Sequence, residues 1–422
     1  MKKSDKRHLI TNNGIILLLF LALLPLLATT AFAAAGETVA PAVDPVGNSD
    51  NYSAVLYDNS NGLPTSEAND IAQTSEGFIW IGSYSGLVRY DGNTFERIDS
   101  TTGITSVVCL LVDSRDRLWI GTNDNGLAML ERGEFTIWKE ADGLGSTKIC
   151  CLEEDSDGSI YVGTTAGISV VSPDLTLSHL DDPRIANLYM EHITRGSDGL
   201  LYCITNEDDC FTLRGGELED YTAHSMTAID GITSILPDPD APGMVHIGTG
   251  ESKIYYGDPQ TDPASMRSVD ISPLFSVISM KQIGGKLWIC ARNGIGMLDE
   301  EGFHHLDDLP LNNSVNQVMA DYEGNLWFIS ARQGVMKLVA NSVSDVFEHY
   351  GLEERVVNST CIYNGLLFVA TDTGLIALDE EGPLASLPLT AARTASGQEL
   401  GSSDLLRLLD GVRLRSLVRD SR

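Results

Sequence analysis

Apolar residues between about position 52 and position 380 fall in short runs separated by turns rich in Gly, Asp, Asn and Ser, and helical spacing is absent. One stretch sets the pattern. Residues 106–112 (SVVCLLV) are an apolar run after Ser106, as in a strand buried on both faces. Asp113-Ser114-Arg115-Asp116 predicts a turn, and residues 118–122 (LWIGT) a returning strand of the β-branched and aromatic residues that suit a packed pleat. Asn125-Gly126 predicts a tight hairpin, because both residues tolerate positive φ. Residues 127–131 and 135–139 then read as a third and an outer strand.

That stretch recurs. EGFIWIGSYSGLVRYDG (76–92) precedes it, and DGSIYVGTTAGISVV (157–171), GGKLWICARNGIGMLDE (284–300), EGNLWFISARQGVMKL (323–338) and NGLLFVATDTGLIALDE (364–380) follow. Each unit is anchored on one residue of its second strand: Trp80, Trp119, Tyr161, Tyr202, His246, Trp288, Trp327 and Phe368. A period of about forty residues with short strands predicts four-stranded propeller blades. A single blade cannot bury both faces, so each anchor is expected to pack against the next blade.

The shared pattern is a turn Asp followed by G-x-[LI]-W-[IF]-G-T-x-x-G-[LI], and it resembles the two-component regulator propeller repeat. The resemblance implies an all-β chain with a seven-bladed β-propeller at residues 51–340. Residues 341–422 then hold the first blade and truncated next repeat of a second propeller. Residues 342–354 resemble the lead-in segment 54–64, and residues 411–422 (GVRLRSLVRDSR) align with 106–115 as a first strand and turn. In the family such propellers form the extracytoplasmic sensor region of membrane receptors whose output is a histidine kinase or a diguanylate cyclase. This implies a homodimer of the full-length receptor, a fragment lacking its output domain, and no enzymatic activity in this chain. Two units depart from the pattern: one has an acidic run in place of the loop glycine (residues 199–213), the other His246 in place of the aromatic.

Composition refines this picture at the ends and on the surface. Lys2, Lys3, Lys6 and Arg7, an apolar run at 15–27 and Ala31-Phe32-Ala33 predict an export signal or N-terminal anchor over residues 1–35. Residues 36–50, rich in Ala, Pro and Gly, read as a linker. The formal charge of −31 disfavours nucleic acid and anionic lipid as partners. The seven cysteines lack zinc spacing and follow the strand pattern, so they are expected as small buried hydrophobes.

In a propeller, second-to-third-strand loops and blade crossovers gather at one mouth. Here those loops carry Tyr84, Asn123, Asp124, Glu207, Asp208, Asp209, Glu251, Arg292 and Arg332. A ring-stacking tyrosine, amides, acids and two arginines suit a small polar ligand such as an oligosaccharide, with Arg gripping carboxylates. No cofactor or metal is expected: Asp155-Ser156-Asp157-Gly158 lacks the distal acid of a calcium loop, and His304-His305 lacks a third ligand. The alternative is a secreted propeller lyase or hydrolase acting on a polysaccharide or cyclic ester, with Glu207, Glu251, Arg292 and Arg332 as its candidates.

Overall fold

The computed structural model describes residues 41, 43–46, 52–224, 229–260, 265–340, 346–379, 382–394 and 396–418. The expected export signal (1–35) and the final Asp420-Ser421-Arg422 turn lie outside the described residues. The chain divides into two compact units, Met1–Ala340 and Asn341–Arg422.

In the first unit, six sheets follow one another along the chain, at residues 70–97, 107–138, 149–179, 190–222, 232–270 and 277–306. Each is a meander of four consecutive antiparallel strands, numbered here as blades 1 to 6. Blade 7 takes three strands from Val315–Ala320, Leu326–Ser330 and Gly334–Ala340. Its fourth strand, Tyr52–Tyr57, comes from the other end of the unit, with Leu56 opposite Met336 and Tyr57 opposite Val335. The first strand of each blade packs beside the first strand of the next, and that of blade 7 beside that of blade 1, so the sheets close a ring.

The anchors hold this ring together. Trp119, fully buried, packs with Leu144, Ile149, Leu152 and Ile160, most of them from blade 3. Trp80 meets Val107 and Leu110, Tyr161 meets Met190 and Ile193, and Tyr202 meets Ile232 and Ile235. Trp288 meets Val315 and Val318, and Trp327 closes on Ile71, Ile79 and Ile81 of blade 1. Burial of each such ring contributes roughly 1.5–3 kcal/mol. His246 differs: its ring lies 4.7 Å from that of Tyr256 in its own blade. Gly121 is required because a Cβ there would strike the Cys109 sulfur and Ile149 of the next blade.

The turn aspartate that precedes Trp119 and Trp327 has a structural reason. One Asp113 oxygen accepts the N–H groups of Arg115 (3.0 Å) and Arg117 (2.9 Å). The other accepts Arg117 Nε (2.6 Å) and Trp119 Nε1 (2.8 Å). Asp321 repeats the arrangement with Trp327 Nε1 at 2.8 Å. Blade 6 turns through Gly284-Gly285 instead, and the buried Trp288 Nε1 has no hydrogen-bond partner among the described residues.

The described part of the segment read as a linker is docked onto the ring. Val43 is buried against Ile283 and Trp288, and Asp44 pairs with Lys286 at 2.5 Å. Pro41 occupies the space that a side chain at Gly284 would need. All seven cysteines are free. Cys203 pairs across from Phe211 and Cys210 from Ile204, so the two sulfurs lie on opposite faces of one hairpin. Burial raises the thiols of Cys109, Cys151 and Cys203 well above the ordinary cysteine range.

The second unit holds one sheet, Val357–Tyr363, Leu366–Thr371, Gly374–Asp379 and the short Gly382–Pro383. Residues 411–418 form no strand, yet they repeat two bonds of the ring. Asn358 Nδ2 donates to Leu414 O (2.8 Å), as Asn69 Nδ2 donates to Val107 O (2.8 Å). The Leu417 N–H donates to Ser359 Oγ (3.1 Å), as the Leu110 N–H donates to Asp70 (2.8 Å). The tail therefore follows the course of a next first strand. Val346–His349, within the segment that resembles the lead-in, forms one helical turn.

Candidate functional site

Backbone hydrogen bonds lace the second-to-third-strand loops and the blade crossovers into one rim. Within blades the pairs include Asn123 N to Ser106 O (2.9 Å), Thr165 N to Lys148 O (3.4 Å), Asn206 N to Tyr189 O (3.2 Å), Gly250 N to Gly231 O (2.8 Å) and Arg292 N to Ser276 O (3.0 Å). Between blades, Gly126 N donates to Thr147 O (3.0 Å), Gly167 N to Leu188 O (2.9 Å), Ser314 N to Arg292 O (2.7 Å) and Ala68 N to Ser330 O (2.9 Å). All nine candidate residues lie on this rim.

Their side chains divide into two groups. Asp208 and Asp209 are committed to the scaffold. Asp208, at φ 65°, accepts the N–H groups of Gly231 (3.0 Å) and Ile232 (2.7 Å), so its carboxylate ties blade 4 to blade 5. Asp209 accepts the Tyr221 hydroxyl (2.5 Å) and the His224 N–H (2.8 Å). The acidic run that replaces a loop glycine thus does the work of a turn and a crossover link. Tyr84, Asn123, Asp124, Glu207, Glu251, Arg292 and Arg332 stay exposed. Among the described residues, no hydrogen bond or ion pair joins the candidate side chains of one loop to those of another. Glu251 lies 3.8 Å from Lys253, the first residue of the strand that follows its loop.

Arg292 lines a rim cavity, a groove of about 450 Å³ between blades 6 and 7. Its walls include Asn293, the neighbour of Arg292 in the same loop, and Phe275, His305, Asp307, Asn312 and Asn313, which lie outside the second-to-third-strand loops. Phe275 and the two asparagines sit on crossovers, whose lengths vary too much for the repeat to flag them. His304 and His305 occupy adjacent positions of one strand, opposite Met297 and Gly296, and so face opposite sides of the sheet. His304 pairs with Asp299 at 3.0 Å, while His305 turns toward the groove. Among the described residues no group of three or more His, Cys, Asp or Glu side chains is placed to hold a metal. In the Asp155–Gly158 turn, Asp157 accepts the Ser159 N–H at 2.8 Å and its hydroxyl at 3.0 Å.

The first strands also carry ionisable groups. Glu153 of blade 3 is pushed up to about 7 by burial, against the opposing pull of Arg195 and of Lys281. Burial raises Asp70 as well, although its carboxylate accepts the N–H groups of Leu110 and Ile71 and feels Lys281. Burial alone lowers His192 to about 4, and its Nδ1 has no hydrogen-bond partner among the described residues.

Residues 62–85, 103–124 and 143–166 match the family described as two component regulator propeller. No curated protein matches the chain. Among solved structures, a streptogramin B lyase is similar at TM-score 0.57 and 20% identity, covering 69% of this chain and 98% of its own. An extracellular domain of a hybrid two component system from B. thetaiotaomicron is similar at TM-score 0.57 and 19% identity, covering 82% of this chain and 51% of its own. A second such domain from that organism gives TM-score 0.56 and 19% identity, with 78% and 46% covered. The chain thus spans about half the length of these two domains. At these identities the likenesses show the fold, a β-propeller.

Proposed function

We propose that this chain, which carries two component regulator propeller repeats, is the ligand-sensing propeller of a membrane signalling receptor. The observation that carries the reading is the division of labour within each repeat. The recurring residues are consumed by the scaffold, as Asp113, Trp119 and Gly121 are, while exposed polar side chains vary from loop to loop on one laced rim. A ring with that construction offers varied binding groups on a constant frame. Occupancy biases a receptor only if the ligand prefers one of two arrangements, and the homodimer and the kinase or cyclase output belong to this proposal. Export by the N-terminal segment, and a position outside the cytoplasm, go with it. Among the described residues no helix is long and apolar enough to cross a membrane, so the proposed membrane attachment rests on residues outside them. A thermal-shift screen of the purified chain against mono- and oligosaccharides tests the reading. Saturable stabilisation without turnover is expected, and silence across neutral and acidic saccharides alike would sink it.

A second reading, a lyase or hydrolase, has one observation in its favour. His305 and Arg292 line the same groove, a base and a cation within reach of one substrate. Turnover of a polyuronide or a cyclic ester that disappears in His305→Ala would establish it and displace the sensor.

A further inference from the structure

We propose that the groove between blades 6 and 7 is a binding site for a hydroxylated ring carboxylate, a sugar acid of the uronate type. The inference rests on the sensor reading and names its ligand class. Phe275 is 43% exposed, an apolar ring held in a cavity of about 450 Å³ rather than in the core. Its position is fixed: Asn293 Oδ1 accepts the Phe275 N–H at 2.9 Å, and Asn293 Nδ2 donates to Pro273 O at 2.9 Å. The opposite wall is fixed in the same manner, since Gln333 Oε1 accepts the N–H groups of Asn312 (3.0 Å) and Asn313 (2.8 Å). Between the walls Arg292 has its backbone bound on both sides, by Ser276 O at 3.0 Å and Ser314 N at 2.7 Å. Its guanidinium has no ion pair or hydrogen bond among the described residues. His305 stands at the base, where a Cβ on Gly294 would come within 3.4 Å of its Nε2.

The chemistry these groups recognise follows from their types. An exposed phenyl ring stacks on the apolar face of a sugar. A guanidinium with free donors takes a carboxylate in bidentate fashion. Asparagine side chains serve hydroxyls, as donor and acceptor both. Because the walls are fixed before binding, little ordering cost is left. The formal charge of −31 opposes a long polyanion, so a single sugar acid or a short oligomer fits better than a polymer.

Isothermal calorimetry of the full chain with D-galacturonate, D-galactose and benzoate tests the assignment. Galacturonate is expected to bind about tenfold more tightly than either galactose or benzoate. Arg292→Gln should bring galacturonate down to the level of galactose, Phe275→Ala should weaken both sugars, and Arg132→Gln, outside the groove, should change neither. All three variants alter exposed or half-exposed side chains, and unchanged melting checks their folding. Galacturonate binding that ignores both Arg292→Gln and Phe275→Ala would overturn the groove yet leave the sensor reading standing. Benzoate binding as tightly as galacturonate would overturn the sugar. Absence of galacturonate binding would overturn the site, while another saccharide from the screen would still uphold the sensor.

Discussion

At the scale of single residues, the repeat is a hydrogen-bonding device as much as a hydrophobic one. Asp113 satisfies two turn N–H groups, a buried guanidinium nitrogen and the Trp119 indole with one carboxylate. Removing one partner from such a set leaves the others short of a bond in a dry environment, which costs about 1–3 kcal/mol. Trp288 offers the internal control, since its indole N–H has no partner among the described residues. Trp119→Phe and Trp288→Phe remove similar ring area, but only the first strands a carboxylate. Urea unfolding should show Trp119→Phe losing roughly 1–3 kcal/mol more than Trp288→Phe. Equal losses would mean that the turn aspartate contributes nothing through the indole. The same logic explains why Asp208 and Asp209 are weak candidates for ligand contact: their oxygens are already occupied.

At the scale of the element, the first strand of each blade is the crowded one. Glu153 and His192, on the first strands of blades 3 and 4, are both displaced by burial, in opposite directions on the pH axis. Glu153 holds its proton to about 7 when folded, against an ordinary value of 4.5, so its contribution to stability falls as pH rises across that window. His192 takes a proton only near 4 when folded, against an ordinary 6.5, so its contribution falls as pH drops across that window. The two slopes oppose each other between about 4.5 and 6.5, each reaching at most about 1.4 kcal/mol per pH unit. Glu153→Gln should therefore lose stability steeply on acidification through this range, and His192→Gln should gain it. Melting curves of the two variants at several pH values that ran parallel to the parent's would refute the pairing.

At the scale of the whole molecule, closure decides stability. The ring is shut by Tyr52–Tyr57 laid along Gly334–Ala340, a contact between positions nearly 300 residues apart. Leu56 sits in that ladder opposite Met336, and proline there removes an N–H and distorts the strand. Leu56→Pro should release the strand, expose the edge of blade 7 and promote self-association. Size-exclusion chromatography should show oligomers, and limited proteolysis should cut first near residue 57. Gly334→Ala should act the same way, because a Cβ there would strike the Tyr57 carbonyl at φ 90°. Gly133→Ala, at φ 84° with open space around it, should cost only about 1 kcal/mol. A monomeric, protease-resistant Leu56→Pro protein would show that the first strand is dispensable.

The sequence by itself determined the strands and their order, because short apolar runs and Asp, Asn and Gly turns act within a few residues. It also placed the anchors and the loops of one rim, since every copy of the repeat repeats the same local geometry. Tertiary structure decided the rest. Residues 52–57 pair with Gly334–Ala340, a partner nearly 300 residues away that no local pattern specifies. Val43 of the expected linker was buried because the Gly284-Gly285 turn left room over Trp288. The groove joins Arg292, in a loop the repeat places, and His305, in an outer strand, to Phe275 and Asn312 on crossovers whose lengths the repeat does not fix. Local pattern writes the scaffold, and the contacts between distant crossovers write the site.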